Sequence, residues 1–133
     1  MRVLVSGSRS WDRPDVIWEC LDILASEAAA EGVEQMVVLH GCALGVDMHA
    51  DKWVRRGGHP LDVRVERFPA DWTTGDRAAG LKRNLRMLET QPDVVLAFIR
   101  DQSRGATHCA NAAESADIPV LRIDYDSLPE RPE

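Results

Sequence analysis

Long apolar runs are missing from this chain, and no stretch approaches the about 20 residues that a membrane-spanning helix needs. No membrane association is therefore expected. Cysteine is scarce: Cys20, Cys42 and Cys109 make an odd number with no Cys-x-x-Cys pair. That excludes a disulfide framework and fits reduced thiols. Arg2-Val3-Leu4-Val5 has none of the pattern of a secretion signal, so the expected location is cytoplasmic. The Walker phosphate loop, the Gly-x-Gly-x-x-Gly fingerprint and the Gly-x-Ser-x-Gly elbow are all absent. Their absence argues against a P-loop enzyme, an ordinary dinucleotide fold and a serine hydrolase. His40, Cys42, His49, His108 and Cys109 lack finger or His-Glu-x-x-His spacing, so no metal and no cofactor are expected. A basic surplus is missing too: 16 lysines and arginines against 22 acids give a net charge of −6. A nonspecific DNA binder needs a broad basic face, so a nucleic-acid partner, though left open, is disfavoured. The local basic segment is Arg77, Lys82, Arg83 and Arg86.

What the chain does have is regular alternation. Its 133 residues suffice for one domain with a real core. Apolar runs at 2–6, 35–40, 61–68, 93–99 and 118–123 read as strands. Helical spacing fills the gaps, at about 12–31, 45–56, 76–90 and 105–117. Asp12 is placed to cap the first helix, with Pro14 in its first turn and Gly32 at its end. In the third helix Ala78, Leu81, Leu85 and Leu88 form the expected core stripe. Gly80, Arg83, Asn84 and Met87 form a half-buried face beside it. Strand-helix alternation implies a Rossmann-like, three-layer α/β/α domain with a mainly parallel five-stranded sheet, over residues 1–123. Residues 124–133 read as a frayed acidic tail.

The loops following the strands carry the chemistry. The first strand ends in Gly7-Ser8-Arg9 with Trp11 behind it, and the second passes through His40-Gly41-Cys42-Ala43-Leu44-Gly45 into a helix beginning near Asp47. A strand that ends in a glycine turn and enters a helix aims its free amides at one spot, which suits a phosphate. Any αβ chain also wants glycine in such turns. Ser103-Arg104-Gly105-Ala106-Thr107 repeats the arrangement. Four loops, at 7–11, 40–45, 69–75 and 100–105, therefore meet beyond the carboxyl ends of the strands, where ligands bind on such sheets. Gly7, Ser8, Gly41, Ala43, Gly45, Ser103, Gly105 and Thr107 would supply amides and hydroxyls, Arg9 and Arg83 positive charge, and Asn84 a hydrogen bond. Trp11 is placed to stack on a base or to join the core. Asp47 reads mainly as a helix-start carboxylate that orders its loop, with hydrogen bonding to a ribose as the functional alternative.

Gly7-Ser8-Arg9 with Trp11, His40-Gly41-x-Ala43-x-Gly45-x-Asp47-x-x-Ala50, Phe68-Pro69-Ala70-Asp71-Trp72, Arg83-Asn84-x-x-Met87 and Ser103-x-Gly105 together resemble the YspA/YpsA-related branch of the SLOG superfamily, across about residues 2–123. The resemblance implies a Rossmann-like fold, and many members are phage or bacterial proteins of unknown function. It points in two directions. The Lonely Guy enzymes, which remove the base from a nucleoside monophosphate, have an arginine-then-methionine helix motif similar to Arg83 and Met87. Their catalytic glutamate lies four residues after a glycine. Four residues after Gly105 stands Cys109, and the nearest acid on that helix is Glu114. The DNA-processing protein DprA has a loop similar to residues 41–47 and binds single-stranded DNA.

The expectation is a nucleotide or nucleotide-derivative binding protein, a sensor or sequestering module. A nucleoside-monophosphate N-glycosidase is the first alternative, with Arg83, Asp47, Asp71 and Glu114 as candidate catalytic groups. Single-stranded nucleic-acid binding is the second. A homodimer is expected, with Trp18 and Trp53 as interface candidates.

Overall fold

The structure, a computed structural model, describes residues 1–130. Five strands, β1 (Arg2–Gly7), β2 (Gln35–His40), β3 (Asp62–Arg67), β4 (Val94–Ile99) and β5 (Val120–Asp124), alternate with four helices, α1 (Pro14–Ala30), α2 (Val46–Arg56), α3 (Ala79–Glu89) and α4 (Arg104–Ser115). The sheet is wholly parallel in the order β3-β2-β1-β4-β5. Period-two alternation divides the core. Val3, Val5, Val38, Leu96 and Phe98 face α1 and α2, whereas Leu4, Leu39 and Val95 face α3 and α4. The domain is therefore a three-layer Rossmann-like sandwich.

The strand order reverses between β1 and β4. Chains leaving these neighbours diverge to opposite faces and open a crevice at their carboxyl ends. Among the described residues, no helix is long and apolar enough to cross a membrane.

Three local expectations are corrected. Asp12 does not cap α1, whose N-cap position is Arg13; its carboxylate accepts the Tyr125 hydroxyl at 2.6 Å. The C-terminal segment is not frayed as far as it is described. Tyr125 and Leu128 pack on the core, and Arg13 donates to the Pro129 carbonyl at 2.6 Å. Residues 131–133 of the expected tail lie outside the described residues.

The third correction concerns α3. It begins at Ala79 rather than near Asp76, and its buried side chains are Ala79, Asn84, Met87 and Leu88. Leu81 and Leu85 are exposed, at 39% and 46%. The helix is rotated from the leucine-stripe expectation because Arg83 and Asn84 find main-chain and side-chain partners inside, described next.

Candidate functional site

A cavity of about 520 Å³ opens at the crevice. It is lined from all four loops: Gly7, Ser8 and Arg9 after β1, Ala43 and Asp47 after β2, Trp72 and Arg77 after β3, and Ser103, Gly105 and Ala106 after β4. One face of α3, carrying Gly80, Arg83, Asn84 and Met87, forms its side. The volume is that of a small-molecule site.

The loop after β2 differs from the expected phosphate cradle. Asp47 is buried, and its Oδ2 accepts the amide hydrogens of Gly41 at 2.9 Å and Ala43 at 3.2 Å. The amides that were to hold an external anion already hold an internal one. Burial pushes the Asp47 carboxyl above the ordinary range, against the pull of those two amides and of nearby positive charge. Positive φ in this loop falls on Gly45, at 81°, and on Cys42, at 60°. The Cys42 amide donates to His40 Nδ1 at 3.0 Å, so the His40 proton sits on Nε2, which donates to Asp51 Oδ2 at 2.6 Å. Asp51 also takes Arg67 and Arg55, both at 2.7 Å. The Arg67 hydrogen bonds, with those from His40 and Arg55, hold the Asp51 carboxyl well below the usual range despite burial.

The glycines are required by the protein's own packing. A Cβ at Gly7 would lie 2.7 Å from the Phe98 carbonyl oxygen. Gly45, at φ +81°, would press one to 2.6 Å from the carbonyl oxygens of Ser8 and Arg9. Gly105 is different: nothing lies within 4 Å of its missing side chain.

Arg83 reaches across these loops. Its Nε donates to Asn84 Oδ1 at 2.8 Å, and its Nη1 to the carbonyls of Gly41 and Phe68. Asn84, itself buried, passes the connection on to the Gly105 carbonyl at 3.5 Å. Loops after β2, β3 and β4 are thus tied together through α3. Arg83 Nη2 makes no hydrogen bond among the described residues and lies beside Gly80. Ser8 is equally committed: its hydroxyl donates to the Arg100 carbonyl at 3.0 Å and accepts the Arg100 amide at 2.7 Å.

Unspent positive charge collects in the cavity. Four arginines line it: Arg9, Arg77, Arg83 and Arg100. Arg100 is paired with Asp12 at 3.5 Å and with Asp101 at 3.8 Å. Arg9, Arg77 and Arg83 have no carboxylate partner among the described residues. Beside them starts α4, whose N-cap Ser103 makes no side-chain cap, so its first amides are open to an anion. Arg77 joins the site without a ligand role expected from sequence. Its place in a charge-rich segment was visible, but not that it would lack a partner.

Several candidates leave the site. Trp11 is buried, stacked edge-on against Phe98 and Tyr125, with its indole N–H on the Arg13 carbonyl at 2.8 Å. Thr107 lines a separate hollow with Gln102 and Arg122. Glu114 lies near the far end of α4, exposed and paired with Arg122 at 2.9 Å. Cys109, four residues after Gly105, is buried, and burial pushes its thiol up to about 11. Asp71 binds Thr73 within its own loop and does not line the cavity. Trp53 is buried and donates to Asp22 at 2.8 Å. Trp18 donates to the His49 carbonyl at 2.8 Å beneath Arg56. Among the described residues, no group of three His, Cys, Asp or Glu comes together as a metal site.

Residues 1–75 match the family described as YspA, cpYpsA-related SLOG. Over 125 residues the chain is 37% identical to the Gene 61 protein of Mycobacterium phage D29, covering 92% of this chain and 95% of that one.

Proposed function

From a chain that belongs to the YspA, cpYpsA-related SLOG family, we propose a protein that binds a phosphate-bearing nucleotide or nucleotide derivative in the crevice between β1 and β4. The observation that carries this reading is the set of three arginines, Arg9, Arg77 and Arg83, lining one cavity without carboxylate partners among the described residues. In a chain of net charge −6, cations left unmatched in a concave site favour an anionic ligand. The phosphate lies against the open first turn of α4 and the guanidinium groups of Arg9 and Arg77. Asp47 faces the sugar with Oδ1, which accepts no hydrogen bond among the described residues.

Thermal unfolding against nucleoside monophosphates, NAD, ADP-ribose and cyclic dinucleotides tests this. A ligand at 100 times its dissociation constant adds about 2.7 kcal/mol. The expected result is a hit whose shift Arg77→Ala reduces. No shift with any compound overturns the reading.

A second reading, hydrolysis of the glycosidic bond of a nucleoside monophosphate, draws support from Asp47 alone. A carboxylate in the cavity wall is what an oxocarbenium-like transition state requires. Free base released by the wild type and not by Asp47→Asn supports it; no base from any nucleotide overturns it. For assembly, exposed Leu81 and Leu85, four apart on α3, support a homodimer better than the engaged Trp18 and Trp53. A monomer in sedimentation velocity at micromolar concentration overturns that part.

A further inference from the structure

The four tryptophans divide three to one. Trp11, Trp18 and Trp53 each donate their indole N–H to a protein oxygen, and each is buried or half-buried. Trp72 alone has no partner for its N–H among the described residues, and it is 54% exposed. Leaving half of a large apolar ring in water forgoes the gain of burying it. Trp72 is nevertheless held in position. A turn fixes its loop: the Thr73 amide donates to Asp71 Oδ1 at 3.1 Å and the Gly75 amide to the Trp72 carbonyl at 3.2 Å. Arg86 holds the Pro69 carbonyl at 3.3 Å. The benzo edge of the indole rests against α3 at Gly80, where a Cβ would stand 3.4 Å from it. Trp72 lines the main cavity and also the smaller hollow between Arg9, Gly41 and Pro69.

We propose that Trp72 is the platform on which the ligand's nucleobase stacks, an assignment that rests on the nucleotide reading above. The site then has two poles. Arg9, Arg77 and the α4 N-terminus take the phosphate, and the indole takes a flat heterocycle. Stacking on an aromatic face tolerates any base. Gly80, against which the indole edge rests, offers no side chain to a base edge, and the donor beside it is Arg83 Nη2. The ligand class is nucleoside phosphates, held through a ring that accepts any base.

Titration calorimetry on the full chain separates the two poles. The probes are AMP, GMP, CMP, UMP, NAD and ADP-ribose, with ribose 5-phosphate as the baseless control. For the tightest of the six, W72A is expected to weaken binding roughly ten-fold and W72F to restore part of it. Ribose 5-phosphate affinity stays the same in W72A and falls in R77A. Nucleotide binding that W72A leaves within about two-fold overturns the stacking assignment alone. No binding of any of these probes to the wild type overturns this proposal, and no binding of cyclic dinucleotides either overturns the nucleotide reading with it. Trp72 is exposed, so the variant should keep its fold, and an unchanged melting curve verifies that.

Discussion

The guanidinium of Arg83 occupies the space in which a side chain at Gly41 would begin: a Cβ there would lie 2.7 Å from Arg83 Nε. Gly41 is glycine because an arginine from another element must cross it, and Arg83 is held because Gly41 and Phe68 offer it their carbonyls.

That relationship predicts coupling. Gly41→Ala should push the flexible Arg83 guanidinium aside and cost its carbonyl hydrogen bonds, about 1–3 kcal/mol of stability. Arg83→Ala should cost a similar amount, by removing charge-assisted hydrogen bonds to two loops. In the double variant the costs should fall short of additive by about 0.5 kcal/mol or more, because the alanine at 41 has displaced what position 83 then loses. Urea unfolding of the four proteins measures this.

Arg9 and Arg77 should behave oppositely. Neither makes a hydrogen bond or ion pair among the described residues, so replacing either with alanine should move stability by no more than about 0.5 kcal/mol. Each should nevertheless weaken binding of the nucleotide found in the thermal screen. Calorimetry beside a melting curve distinguishes a binding role from a folding role, which at Arg83 are mixed.

Asp47 predicts a contrast between two substitutions. Alanine strands the amides of Gly41 and Ala43 in a buried loop and should cost about 1–3 kcal/mol. Asparagine keeps an accepting oxygen without the charge that burial disfavours, so it should cost less than alanine. Denaturation midpoints of the two variants verify the order.

Asp51 sets a pH dependence. Its folded-state pKa is depressed, chiefly by Arg67 and then by His40 and Arg55. The stabilisation is fully present above the unfolded-chain value of about 3.9 and fades as pH falls below it toward the folded value. Wild type should therefore lose stability below about pH 4, whereas Asp51→Asn should be less stable at neutral pH and flatter across that range. Unfolding between neutral pH and pH 3 provides the comparison.

Alternation made the fold readable. Val3, Val5, Val94 and Val95 could only be strands between helical stretches, and the four loops had to share one end of the sheet. The site was readable at the level of loops and less so at the level of side chains. Arg83 and Asn84 were visible as a pair on one helix face. That they turn inward while Leu81 and Leu85 face out depends on carbonyls from residues 41, 68 and 105, far away in sequence. Trp11 and Trp72 sit in similar loops, and only the packing of Phe98 and Tyr125 against Trp11 separates the buried ring from the exposed one. Asp47 was readable as loop-ordering, but not as the occupant of the anion seat its own loop forms.

That internal carboxylate has a kinetic consequence. An anion-binding loop without its anion leaves its inward amides unpaired. Here the counterpart of the anion is covalently part of α2, so the loop is closed before any ligand comes. Amide exchange at Gly41 and Ala43 should already be slow in the free protein and change little on binding. The sites that slow on ligand arrival should instead be the uncapped amides at the start of α4.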